Sequence, residues 1–504
     1  MLTRLMIFLL LAQCGCVQAS PQAPAESGAA PAASHVVNPK IEALAKAWIK
    51  RLQTGDPDRS QLSAQMNAHL TPALMRQVAP VLRKLGSLTG FSYIESQPYA
   101  NLTGVYFASQ PYAQYSSDKS SAQETGYWFL ATFHSVRLNY VIGSAGNGKI
   151  DHLFFWPYQP QVHMQEGELL AALRTELQRD SAAGRFSGAV LVAKDGKSVF
   201  AQGYGLANRA RNVPNTLQTR FRMGSMNKMF TAVAVLQLVQ AGGLRLDDPV
   251  GKYLPDYPNK DVASKVTIQE LLTHTGGTGD IFGPQFDAHR LALRTLGDYV
   301  KLYGNRALTF KPGSRFDYSN YGFILLGVII ERASGESYYD YLRQHVYGPA
   351  GMKSTGSEPE NNVVSDRSIG YMHAGSKWRT NAGTLPYRGT SAGGGYSTVG
   401  DLLRFANALQ ADKLLNAHYT QLLTTGLVTM PGSLPDNPRR YAFGFGDQKI
   451  NGERCFGHNG GAPGMNGDLN VCPGPGYVVA VLANVDPPAA DLIAAFVLNR
   501  LPGR

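Results

Sequence analysis

Cysteine is scarce in this 504-residue chain, with four in all, which excludes a small fold stapled by a dense disulfide framework. No run of five or six Lys or Arg occurs, so the formal net charge of +11 reads as a dispersed basic surface and not as a nucleic-acid arm. Beyond the N-terminus no apolar stretch reaches the roughly eighteen residues that a membrane-spanning helix needs, so no span is expected in the mature chain. The histidines and cysteines lack close ligand spacing, so neither a metal nor a cofactor is expected. No internal repeat is evident.

What is present describes a globular protein of more than one core. Hydrophobic residues make up 44% and charged residues 16%, and the length exceeds one ordinary domain. The first nineteen residues read as a signal peptide. Arg4 supplies a basic start, residues 5–11 an apolar core too short to span a bilayer, and Val17-Gln18-Ala19 a cleavage site before Ser20. This places the protein in the periplasm or outside the cell. Cys14 and Cys16 raise a lipoprotein alternative, disfavoured because Gln13 stands where each lipidation motif expects a small or aliphatic residue. Residues 20–36 are rich in Ala, Pro and Ser and read as a flexible linker. Export leaves Cys455 and Cys472, equidistant from a turn near Pro463-Gly464. A cross-strand disulfide between them is expected, the alternative being two buried thiols.

Residues 37–160 read as a small α+β domain. Ile41, Leu44, Ala45, Trp48, Ile49 and Leu52 recur at helical spacing, and a second helix is expected over 72–85. Strand-like runs follow at 90–95, 103–108, 127–134, 136–141 and 150–155, with an Asn147-Gly148 turn. This order of helices and then a meander resembles NTF2-like or cystatin-like accessory domains. A second domain, 166–504, opens with a helix carrying Leu169, Leu170, Leu173 and Leu177 on one face, then a hairpin around Lys194-Asp195-Gly196-Lys197. It closes with strands and an amphipathic helix at 489–501. Strands at both ends with helices between predict one sheet assembled from the two termini beside a helical insertion.

Three motifs in this second domain carry chemistry. Ser225-Met226-Asn227-Lys228 opens an apolar segment in which Phe230, Val233, Leu236 and Val239 predict a buried helix over 225–240, ended by Gly242-Gly243. Ser and Lys three apart share one helix face. A serine hydroxyl needs a base to become nucleophilic, and a buried Lys can be that base because desolvation lowers its pKa. The spacing alone is cheap, since Ser116-Ser117-Asp118-Lys119 repeats it in a polar loop. Tyr318-Ser319-Asn320 follows a Pro-Gly turn and precedes a second apolar helix. Its Tyr can hold or relay the serine proton and its Asn can donate to a substrate carbonyl. His458-Asn459-Gly460-Gly461 lies between the two later cysteines. A Gly-rich strand admits a substrate backbone, and the amides of Gly461 and Ser225 can form an oxyanion hole. His274-Thr275-Gly276 and His373-Ala374-Gly375 repeat the His-x-Gly triplet and warn against reading it alone.

In this order the three motifs resemble the serine β-lactamase-like, penicillin-binding family, which holds C-type β-lactamases, D-alanyl-D-alanine carboxypeptidases, D-aminopeptidases and esterases. The segments VTIQELLTHTGG and SAGGGYSTVGDLLRFANAL are similar to that family's helix-and-turn and Gly-rich segments, the latter read as structural with a capping pattern at Thr398 and Asp401. The resemblance implies an α/β fold, an antiparallel sheet flanked by helices plus an all-helical subdomain. It implies Ser225 as acylated nucleophile and Lys228 with Tyr318 as the proton-handling pair. Asn320, His458, Gly460 and Gly461 would bind substrate. Where penicillin-active members carry Lys-Thr-Gly, this chain has His458-Asn459-Gly460, and a mostly neutral His favours ester or amide substrates without an obligatory carboxylate. The alternatives are a β-lactamase or D-Ala-D-Ala carboxypeptidase, and a sensor that acylates without turnover. The expected partner is a small-molecule or peptide substrate, cell-wall fragments among the candidates, and not nucleic acid. Pocket shape is left to loops at 278–289 and 430–440.

Overall fold

The computed structural model describes residues 38–98 and 125–503 apart from 134–136, 145–147, 159, 375–376, 431–432 and 434–436. The signal peptide, the linker, the expected strand at 103–108 and the Ser116–Lys119 copy of the motif lie outside the described residues. The described chain divides into two compact units near residue 160.

In the first unit, helix α1 (Pro39–Thr54) starts at Asn38, whose side chain accepts from the Lys40 amide, and stops at Gly55 in the left-handed conformation. It buries Ala45, Trp48, Ile49 and Leu52, the face expected from their spacing. A short helix α2 (Ala64–His69) and the longer α3 (Pro72–Lys84) follow. Strands β1 (Leu88–Pro98), β2 (Thr125–Phe133), β3 (Arg137–Ser144) and β4 (Ile150–Pro157) form an antiparallel sheet in that order. Phe129, Ala131 and Phe133 alternate along β2 into the core shared with α1 and α3, as a period of two requires. Tyr140 and Phe155 stack there at 4.5 Å.

The second unit opens with α4 (Glu166–Ala182), which buries Leu169, Leu173 and Leu177. Its sheet has eight antiparallel strands: β5 (Gly188–Lys194), β6 (Lys197–Tyr204), β7 (Val428–Thr429), β8 (Arg440–Tyr441), β9 (Gly446–Ile450), β10 (Glu453–Ala462), β11 (Met465–Cys472) and β12 (Tyr477–Ala483). Their order is β7-β8-β9-β10-β11-β12-β5-β6, so strands from the two ends of the unit pair inside the sheet, one strand from its β6 edge, Val481 opposite Val190. The apolar runs of β5 and β12 are explained by two covered faces. Val190, Val192, Val479 and Val481 pack toward α4 and the last helix. Leu191, Val478, Ala480 and Leu482 pack toward the helical core.

That core is built on α5 (Asn227–Gln240), α6 (Ile268–Leu272), α7 (Asn320–Ser334) and α8 (Val399–Gln410), while α9 (Ala489–Leu498) covers the opposite face. Helix α5 is buried on every side from Asn227 to Leu236, so it has no polar stripe and its sequence reads as almost uniformly apolar. Thr267 caps α6 in a reciprocal pair with Glu270, and Ser319 caps α7. Cys455 and Cys472 form a disulfide between β10 and β11, in the register that the turn at Pro463-Gly464 sets. No helix among the described residues is long and apolar enough to cross a membrane.

Candidate active site

A tight turn over Gly224–Met226 feeds α5. Gly224 has φ +56, a conformation open to glycine at little cost. Strand β10 runs against this turn. A Cβ added at Gly460 would overlap the Met223 carbonyl oxygen and stand 2.7 Å from the Ser225 nitrogen. One added at Gly224 would stand 2.8 Å from the Gly461 nitrogen. Only glycines allow the two backbones to approach this closely, and the approach brings the amides of Ser225 and Gly461 together. The Ser225 amide sits where a helix start leaves N–H groups without intrahelical acceptors, so it is suited to a developing negative charge.

One turn along, Lys228 is fully buried. Its amine donates to Asn320 Oδ1 at 2.7 Å and to the Ala392 carbonyl at 2.5 Å. It lies 4.6 Å from the Tyr318 ring centre and 5.4 Å from that of Phe323. These two bonds, and not one to Ser225, hold the amine. A neutral amine has two N–H bonds and one lone pair, so both of its donors are used and its lone pair is left over. Burial pushes the pKa of Lys228 down to about 7, against the opposing pull of the Asp280 carboxylate. Near neutral pH a large share of it therefore has that lone pair available.

Tyr318 meets the serine from the other element. The Ser225 hydroxyl acts on its phenol, but the pair falls short of a well-formed hydrogen bond and the buried Tyr318 hydroxyl has no partner in the protein. Burial pushes its pKa up, so the phenol keeps its proton and is a donor in waiting.

Asn320 does something other than expected. Its Oδ1 accepts from Lys228 while its amide and Nδ2 donate to the two carboxylate oxygens of Asp280, at 2.9 and 3.2 Å. One side-chain N–H is already committed, so the residue is first an anchor for the Lys228 amine. Asp280 is half-buried, and desolvation of its carboxylate raises its pKa. It is a member of this cluster that the sequence reading did not single out. It lies in a Gly-rich loop whose spacing carries no signal.

His458 also differs from expectation. Its Nε2 is 2.9 Å from the Tyr441 hydroxyl and its Nδ1 is 2.5 Å from the Asn459 carbonyl, so neither ring nitrogen is free for a substrate. Burial, with Lys228 adding to it, pushes its pKa down to about 3, and the ring is neutral. The side chain of Asn459 points to the other face of β10, donating to Asp491 at the start of α9. The structure thus gathers Ser225, Lys228, Tyr318, Asn320, His458, Gly460 and Gly461 in one place.

The Gly-rich segment read as structural is part of the same place. Besides the Ala392–Lys228 bond, the Gly394 amide donates to Gly224, the Met223 amide to Gly395, Asn227 to the Thr390 carbonyl and Thr231 to the Ser391 carbonyl. The capping by Thr398 is present, its hydroxyl accepting from the Asp401 amide. Capping was legible in the sequence. The carbonyl that receives Lys228 was not, because any residue type offers one.

Known proteins carry the same architecture. The Beta-lactamase family matches residues 172–502. Penicillin-binding protein 4* of Bacillus subtilis is 31% identical over 302 residues, 56% of this chain and 64% of that protein. The serine beta-lactamase-like protein LACTB, mitochondrial, of Homo sapiens is 31% identical over 43% of this chain and 52% of its own length. The chain thus spans between half and two-thirds of these relatives. Among solved structures, a penicillin binding protein from Bacillus halodurans superposes with a TM-score of 0.57 at 34% identity, over 64% of this chain and 97% of that one. A D-stereospecific amidohydrolase from Streptomyces does so at 0.54 and 26%, over 65% and 98%. The match spans most of the chain and the whole of the sheet and helical core, and through it this protein belongs to the beta-lactamase family of serine hydrolases.

Proposed function

We propose that Ser225 is acylated by an ester or amide substrate and that water then releases the acyl group. The observation that carries this is the buried Lys228 amine, one turn from Ser225, its N–H groups held by Asn320 and Ala392 and its pKa brought to about 7. In the first step the serine proton passes to the Lys228 lone pair as the serine oxygen attacks the carbonyl carbon. The negative charge on the carbonyl oxygen is taken by the Ser225 and Gly461 amides, each such donor contributing roughly 3–4 kcal/mol. As the bond to the leaving group breaks, Tyr318 donates its proton to it and recovers one from Lys228. Water repeats the sequence on the acyl-enzyme, and an acid and free Ser225 result.

The neutral His458 supports substrates without a carboxylate at the strand, and the similarity to a D-stereospecific amidohydrolase fits an amide of that type. A second reading, a penicillin-active or peptidoglycan-directed enzyme, is favoured by the penicillin-binding relatives. The leader-like N-terminus and the Cys455–Cys472 disulfide support work outside the cytoplasm. The first unit offers no catalytic constellation in its sequence and is read as an accessory module.

The test is Ser225→Ala with a p-nitrophenyl ester and a fluorophosphonate. Hydrolysis is expected to fall by about a thousandfold or more, and the wild-type chain alone should gain the mass of the label. Retained hydrolysis in the folded variant rejects the assignment. Parallel assays with D-aminoacyl amides, D-Ala-D-Ala peptides and a chromogenic cephalosporin separate the two substrate readings.

A further inference from the structure

Two residues outside the nucleophile, amine and phenol set join the loop of Tyr318 to the strand of His458. His274, in the turn after α6, is buried and has φ +59, a strained conformation for a residue with a side chain. Its carbonyl accepts from the Asp317 amide at 2.8 Å, its Nδ1 from the Ser319 amide at 3.1 Å, and its ring stands 4.2 Å from that of Tyr318. Its Nε2 is 3.1 Å from the hydroxyl of Tyr441 on β8. Tyr441 is in turn 2.9 Å from His458 Nε2. The chain therefore runs Ser319, His274, Tyr441, His458, Asn459.

Its two ends settle the direction of every bond. The Ser319 amide can only donate, so His274 Nδ1 is a lone pair and, in a neutral ring, the proton sits on Nε2. That proton goes to Tyr441, whose own goes to His458 Nε2. At the other end the Asn459 carbonyl can only accept, so His458 carries its proton on Nδ1. Both ends demand the same polarity. A second proton on His458 Nε2 would make the Tyr441 oxygen accept from both rings, and the tyrosine proton would then have no acceptor in the chain, because a neutral His274 cannot have lone pairs on both nitrogens. Protonating His458 thus breaks the chain. The groups facing His458 act in the same sense: the Lys228 amine from α5 opposes a positive charge on it, Tyr318 and Tyr441 are protonated phenols held so by burial, and His274 is neutral. No carboxylate is among the groups that act on it.

We propose that His274 and Tyr441 are positioning residues that lock His458 as an uncharged ring with both nitrogens engaged, so that the strand side of the site selects acyl donors without a carboxylate. This rests on the acyl-transfer reading, but its central claim is tested without turnover. In the full wild-type chain, nitrogen-15 NMR of the histidine rings is expected to show His458 as the Nδ1–H tautomer, with no titration between about pH 5.5 and 8, where an ordinary histidine titrates. An Nε2–H tautomer, or titration in that window, overturns the proposal whether or not Ser225 labels with fluorophosphonate.

The specificity claim is tested with Tyr441→Phe. A second variant, His274→Asn, keeps an acceptor for Ser319, tolerates the positive φ and removes the donor to Tyr441. For wild type, the ratio of kcat/KM for a carboxylate-bearing ester to that for its uncharged analogue should be flat with pH. For either variant the ratio should rise about tenfold as pH falls from about 8 to 5.5, mainly through KM, as His458 becomes able to take a proton. A ratio as flat as wild type in a folded variant overturns the claim.

Discussion

On the helical side of the site, charge is buried and kept: Lys228 and Asp280 sit at the two ends of the Asn320 amide, and each tempers the other. On the strand side, charge is buried and refused: His274, Tyr441 and His458 form a chain whose polarity has no room for another proton. On both sides the chain shields these groups from much of the solvent. They differ in what compensates its loss. A partner of opposite sign lets an amine stay basic enough to take a proton near neutral pH, whereas neutral donors and acceptors in series make the ionised form of a histidine the costly one. Burial alone predicts neither outcome.

The contrast breaks most completely at Lys228→Met, which removes the proposed base and leaves the strand side intact. Turnover of an ester should fall about a thousandfold. The wild-type kcat/KM, which needs the unprotonated amine, should rise with pH through about 7, and that limb should vanish in the variant. Gly460→Ala attacks the contact between the two sides. The added carbon would overlap the Met223 carbonyl oxygen and crowd the Ser225 amide. The expected cost is about 3 kcal/mol or more of stability together with activity, read from denaturant midpoints and ester hydrolysis.

Replacing both cysteines, Cys455→Ser with Cys472→Ser, loosens the strand side from behind. Opening a loop of 17 residues of sequence separation should cost about 3 kcal/mol in the chain-entropy account. The catalytic pH limb should stay where it is, because the disulfide touches neither Lys228 nor Asp280. Asp280→Asn gives the smallest and sharpest change. The carboxylate raises the pKa of Lys228, so its removal should lower that pKa and move the limb to lower pH, by up to about one unit. A shift to higher pH would show that the pair does not balance as described.

Much of this was legible before the structure. The strand over 127–134, the leucines of α4, the cap at Thr398, the pairing of the end strands and the Cys455–Cys472 link all follow from patterns within a few residues or from symmetry about one turn. Some readings did not carry over. His274-Thr275-Gly276 served as a warning copy of the His-x-Gly triplet, yet His274 is bonded into the site. Asn320 and His458 were read as facing substrate, yet their polar atoms are largely taken by the protein itself.

By itself the sequence determined the segments and their ends, the buried helix that puts Ser225 and Lys228 one turn apart, and the glycines that make a close backbone approach allowable. These depend on near neighbours, through helical and strand periods and local sterics. Only the tertiary structure decided which atoms hold the amine and which way the protons of the histidine chain run. The partners come from far along the chain, Asn320 92 residues from Lys228, Ala392 164 and Tyr441 167 residues from His274. A carbonyl oxygen or a ring tautomer acquires its role only when such partners close around it.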